Sequence, residues 1–125
     1  MEIGLVANRP SHSAGAKHFS GTVRVAEAFS GGAGQRGTRI SFHAGAHTVW
    51  HAHSAGMTLL VIEGRGLAQR DGADIESMLP GDAIWFEPGT RQWHGAAPDQ
   101  GVTLIALTHT HSDVVWMEPV SRENA

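Results

Sequence analysis

The chain has 125 residues, enough for one hydrophobic core and too few for two, and its 41% hydrophobic content with 16 glycines fits a single turn-rich domain spanning 1–125. A formal net charge of -3 gives no electrostatic reason to expect nucleic acid or an anionic membrane, which leaves a small molecule or a second copy of the chain as partner. With no cysteine, no basic-then-apolar start and no run near the roughly 18 apolar residues of a membrane span, disulfides and thiolate chemistry are excluded and a cytoplasmic protein is expected.

Short apolar or alternating runs recur between glycine, proline and polar breaks. In chain order they are GTVRVAEAF (21–29), TRISFHA (38–44), HTVWHAH (47–53), MTLLVIEG (57–64), GLAQRDG (66–72), DAIWFEPG (82–89), QWHGAA (92–97) and GVTLIALTH (101–109). Eight runs in about 90 residues, with weak helical periodicity, predict an all-β barrel or sandwich. The GGAGQRG stretch (31–37) reads as a connection, because no Lys-Ser/Thr pair and no βαβ frame follow to make it a phosphate loop. Asp71-Gly72 and Pro80-Gly81 are turn signals. The tail SDVVWMEPVSRENA (112–125) is expected to be a short helix or irregular, with Pro119 opposing anything longer.

Histidines carry most of the chemistry on offer. On an unbroken strand, alternation puts His47, Val49, His51 and His53 on one face, and likewise pairs Gln92 with His94. Imidazoles from His51, His53 and His94, with the Gln92 amide oxygen or a water, would suit zinc, nickel, copper or iron. Met57 changes that balance. Its neutral, soft thioether suits Cu(I) and disfavours Mn(II), which takes oxygen donors; alternatively Met57 is an apolar filler and the histidines hydrogen-bond one another and water. His94 is expected in the pocket, as a ligand or as an acid/base. His109 and His111 are expected at a solvated strand end, while His12, His18 and His43 have no constellation around them. Four tryptophans, at 50, 85, 93 and 116, would close the core or an oligomer interface. Trp50 and Trp93 each neighbour a motif histidine, so they face away from it, which favours subunit packing.

Gly45-x5-His51-x-His53-x3-Met57-x6-Gly64 has the spacing of the first cupin motif, G-x5-H-x-H-x3-E-x6-G, with only the acid replaced. From Gly81 the chain follows the second motif, G-x5-P-x-G-x2-H-x3-N, with Glu87-Pro88-Gly89 at the proline-to-glycine positions, Gln92 at the histidine, and His94 two residues on. Together with FSGTVRV (19–25), AQRDG (68–72), WHGAAP (93–98) and VVWMEPV (114–120), the chain resembles the small single-domain bacterial cupins that include manganese-dependent hydroxynitrile lyases.

The resemblance implies a cupin jelly-roll barrel. In those lyases the metal is held by the H-x-H pair, by a glutamine or glutamate four residues after it, and by the second-motif histidine. Carried over, His51 and His53 are retained, whereas Met57 and Gln92 stand where two other ligands belong. A further pocket histidine of that family falls near Leu104. Thr38, Ile40 and Phe42 would line the substrate pocket, and His47 would sit at its mouth. The implied activity is reversible C–C cleavage of a cyanohydrin-like substrate, with a divalent metal polarising the hydroxyl; a neutral imidazole near it, His94 if it is not a ligand, would take the proton. The substitutions at Met57 and Gln92 leave open a small-ligand-binding cupin, with or without metal, or an oxygen-using metal cupin. Exposed apolar strand positions predict a homodimer or a dimer of dimers, with 21–29 as a natural pairing strand.

Overall fold

The structure, a computed structural model, describes residues 3–5 and 9–121. Its strands in chain order are β1 (His12–Ser13), β2 (Phe19–Ser20), β3 (Val23–Ser30), β4 (Gln35–Phe42), β5 (His47–Thr48), β6 (His51–His53) and β7 (Met57–Gly64). They continue with β8 (Gly66–Arg70), β9 (Glu76–Met78), β10 (Ala83–Phe86), β11 (Gln92–Ala96), β12 (Val102–His109) and β13 (Val114–Trp116). A single 3-10 turn at Gly32–Gly34 joins β3 to β4, so the glycine-rich stretch is a tight connection. No helix among the described residues is long and apolar enough to cross a membrane.

The strands form two antiparallel sheets. One has six strands in the order β1-β3-β4-β12-β7-β10; the other has seven, β13-β6-β11-β5-β2, with β8 also on β11 and β9 on β8. Ring contacts tie the sheets across the interior: Phe42 of β4 lies edge-on to His94 of β11 at 5.9 Å and tilted against Phe19 of β2 at 6.2 Å. Alternation builds that interior. In β7, Met57, Leu59 and Val61 are buried while Thr58, Leu60 and Ile62 face outward, and Ile40 and Phe42 of β4 with Leu104 and Ala106 of β12 extend the same inner face of the sheet. That face shares one apolar core with Ala68, Met78 and Ala96 of the other sheet, removing apolar surface from water.

A turn closes this packing at one end. Gly64 ends β7 at φ +86°, and a Cβ there would run into the carbonyl of Gly101, so the motif's last glycine is required by both dihedral and space. The tail departs from expectation. Residues 114–116 form β13, which pairs with β6 through Val114↔His53 and Trp116↔His51; ladder hydrogen bonds on β6, more than local propensity, decide its conformation. The part of the expected tail from 122 to 125 lies outside the described residues.

Candidate active site

The run 47–53 is two strands, because the chain breaks pairing at Val49–Trp50. That interruption adds one residue to the alternation and reverses the phase, so Thr48 and His51 both face inward. His47 therefore leaves the expected face. It lies edge-on to Trp93, ring centroids 5.6 Å apart, with its Nδ1 3.0 Å from the Gly45 carbonyl, and it lines a separate surface cleft.

On the inner face of the seven-stranded sheet, Trp116, His51 and Gln92 are register partners on adjacent strands β13, β6 and β11, and His94 follows Gln92 by two. Cross-strand partners share a face at close Cβ spacing, which brings these side chains together. His51 lies 5.2 Å from His53, 5.3 Å from His94 and 4.9 Å from Trp116, centroid to centroid. Three imidazoles from two different sequence motifs thus converge.

They open onto a cavity of about 430 Å³. Thr38, Ile40 and Met57 line it with His51, His53 and His94, as do Thr48, Phe19 and Trp116. Besides His47, three expected site residues do not reach it. Phe42 and Leu104 are buried within the apolar core cluster, and Gln92 is fully buried behind the histidines. The mouth carries Arg36, His12 and His109, and no aspartate or glutamate lines the cavity among the described residues.

A hydrogen-bond chain orders the site. His51 Nδ1 is 2.8 Å from the Val49 carbonyl, and His51 Nε2 is 3.1 Å from Gln92 Nε2. Gln92 Oε1 is 3.0 Å from His94 Nδ1, and the His94 backbone N–H donates to Thr48 Oγ1 at 3.2 Å. A carbonyl only accepts, so His51 carries its proton on Nδ1 and accepts on Nε2 from the Gln92 amide; the Gln92 carbonyl then accepts from His94 Nδ1–H. His53 Nδ1 is buried without a partner.

Burial also sets protonation. It lowers the His51 pKa from 6.5 to about 4, with the nearby His53 and His18 adding to the effect and the bond to Val49 opposing it. Burial, then the adjacent His51 and His53, holds His94 well below 6.5, and burial lowers His53 too. All three are neutral at pH 7, since a charged ring would lose its hydration without a counter-charge.

This donor set does not fit a resident manganese ion. The lone pair of His51 that an ion would need is taken by the Gln92 N–H, Met57 offers a thioether, and no carboxylate lines the cavity among the described residues. Among the described residues no three His, Cys, Asp or Glu side chains are arranged to hold an ion.

Sequence reasoning missed part of the cavity. Trp116 was expected in the core or an interface, yet it is 38% exposed, stacks on His18 at 4.1 Å and walls the site. His109 and His12 reach the mouth because β12 and β1 end there; the pairing that places them was not written in local spacing. Trp50 and Trp93 do face away from the site, but the chain itself covers them. They pack with Val120, Met117 and Leu67, and Arg91 lies 4.2 Å over the Trp50 ring while bonding Glu118 at 2.6 Å. That clamp, with backbone bonds between Trp50 and residues 117 and 118, fixes the segment carrying Trp116.

No family model matches the chain. It is 42% identical to an (R)-mandelonitrile lyase from the bacterium Granulicella tundricola over 98% of this chain and 97% of that protein. Among solved structures, a cupin-like protein from Thermotoga maritima superposes with a TM-score of 0.85 at 28% identity, covering 90% of this chain and 88% of that one. A cupin-2 domain from Rhodospirillum rubrum (TM-score 0.79, 16% identity, 98% and 82% covered) and a DMSP lyase from Ruegeria pomeroyi (0.70, 16%, 93% and 64%) share the fold. With its two motif histidines on β6, its opposed sheets and a full-length relative at that identity, the chain belongs to the family of small single-domain cupins.

Proposed function

We propose that this cupin is a lyase-like enzyme that cleaves, and in reverse forms, the C–C bond of a small neutral cyanohydrin inside the barrel. The observation that carries this reading is the set of three neutral imidazoles on one wall of a cavity that no carboxylate lines among the described residues, with His94 Nε2 making no hydrogen bond there. The 42% identity to an (R)-mandelonitrile lyase supports the substrate class.

The chemistry balances with this chain's own groups. His94 Nε2 accepts the hydroxyl proton of the substrate; the C–CN bond breaks as the oxygen lone pair forms the aldehyde carbonyl. Cyanide leaves with the bonding pair and takes the proton back from His94 as hydrogen cyanide. A depressed pKa keeps His94 in its accepting form at pH 7 while making it a weaker base, so excluding water and holding the substrate must supply the rest. Ile40, Met57 and Phe19 offer the apolar wall for the substrate's body.

The buried, unpartnered His53 Nδ1 favours a second reading, in which zinc, nickel, copper or iron joins His51, His53 and His94 once the rings draw closer together. It requires the Gln92 amide to turn away from His51.

The test is release of benzaldehyde from racemic mandelonitrile by tag-free, chelator-treated protein, compared with His94→Gln. Cleavage that falls about 100-fold or more in the variant supports the reading. Cleavage only after adding an ion supports the second reading. Benzaldehyde binding without turnover would make the protein a ligand-binding cupin, and neither binding nor turnover would end the proposal.

A further inference from the structure

We infer that Gln92 organises the histidines in place of a metal ion, holding His51 and His94 in fixed tautomers so that His94 Nε2 is the basic atom presented to the cavity. This makes Gln92 a positioning residue, and the inference rests on the lyase reading only for its kinetic consequence.

The Val49 carbonyl, which can only accept, is the fixed point of the hydrogen-bond chain. Its contact with His51 Nδ1 at 2.8 Å assigns the His51 proton, and every later orientation follows: Gln92 donates at 3.1 Å to His51 Nε2 and accepts at 3.0 Å from His94 Nδ1. Turning the amide over would face the Gln92 oxygen towards the bare His51 Nε2 and move the His94 proton to Nε2. The His51 contact would be lost at a fully buried residue, where an unmade hydrogen bond costs the full desolvation of the group. The amide is therefore locked.

Two roles usually met by a cation are met here by one neutral side chain. A metal on the His51 and His94 rings would order both through their lone pairs and leave neither ring as a base. Gln92 instead occupies the lone pair of His51 and the Nδ1 proton of His94, sparing His94 Nε2. The T-shaped contact of Phe42 with His94, 5.9 Å between centroids, and the Thr48 bond to the His94 backbone steady the same ring. A neutral bridge also avoids burying a charge in a cavity without carboxylates.

The experiment is long-range proton–nitrogen NMR of the histidine rings in tag-free, chelator-treated protein at pH 7, repeated with equimolar Zn²⁺ or Mn²⁺. The expected result is a neutral Nδ1–H tautomer for both His51 and His94, unchanged by either ion. An Nε2–H tautomer at either ring, or ion-dependent shifts of both, overturns the inference. Gln92→Leu adds a second readout: His94 should move towards Nε2–H, and kcat for cyanohydrin cleavage should fall about 10- to 100-fold with KM changed less than about threefold, the signature of lost positioning. Unchanged His94 tautomer in a folded Gln92→Leu variant also overturns it. The wild-type spectra do not depend on turnover, so the predicted tautomers in a protein that cleaves no cyanohydrin would sink the lyase reading alone.

Discussion

Acidification should unfold this protein through the buried His51 imidazole. Its pKa is 6.5 in an exposed setting and about 4 in the fold. Because the folded value is depressed, the unfolded chain binds the proton more readily at intermediate pH. The stability contributed by keeping His51 neutral is complete above pH 6.5, shrinks as pH falls below it, and is lost by the time pH passes through about 4. One pH unit of separation is worth about 1.36 kcal/mol, so linkage between pH 7.5 and 4 amounts to about 3 kcal/mol for this group. At 1% exposure the ring has little solvent to screen it. The assay is urea unfolding across that range for wild type and His51→Asn, whose amide can still donate to the Val49 carbonyl but does not titrate. Wild type should lose about 3 kcal/mol more than the variant on going to pH 4, a midpoint difference of about 1–3 M urea. Parallel pH profiles for the two proteins would refute the reasoning.

Other outcomes follow from packing and from the site. Met57→Ala, at a side chain only 2% exposed, should cost about 2–5 kcal/mol by thermal or urea unfolding, whereas Met57→Leu should cost less than about 1.5 kcal/mol. Gly64→Ala forces a side chain into a left-handed dihedral facing the Gly101 carbonyl and should cost at least about 1–3 kcal/mol, read from the urea midpoint. Trp116→Ala removes a half-exposed cavity wall; it should raise KM for the cyanohydrin severalfold with little loss in melting temperature. Dialysis against a strong chelator should leave cleavage unchanged, because the His51 lone pair is already occupied by Gln92.

Much of the fold was legible because the strands alternate cleanly. MTLLVIEG over 57–64 coincides with β7, and motif spacing brought His51, His53 and His94 to one wall from β6 and β11. What local spacing could not show were the places where pairing overrides it. The break at Val49–Trp50 sent His47 outward, and β13 recruited the tail as a strand and with it Trp116. Phe42 and Leu104, expected at the pocket surface, are taken up by the packed core of the barrel. In the sequence Gln92 stands as an amide-oxygen donor beside three imidazoles. Its bridging role depends on two hydrogen bonds to rings 41 and 2 residues away, a relation visible only in three dimensions.

The most direct measurement is kcat/KM for cyanohydrin cleavage as a function of pH in chelator-treated protein, wild type beside His94→Gln. Burial holds His94 well below 6.5, so the wild-type value should stay level from pH 8 to below pH 6, and the variant should be depressed about 100-fold or more throughout. A break at the ordinary histidine value, or an equal rate in the variant, would contradict a neutral His94 acting as the base.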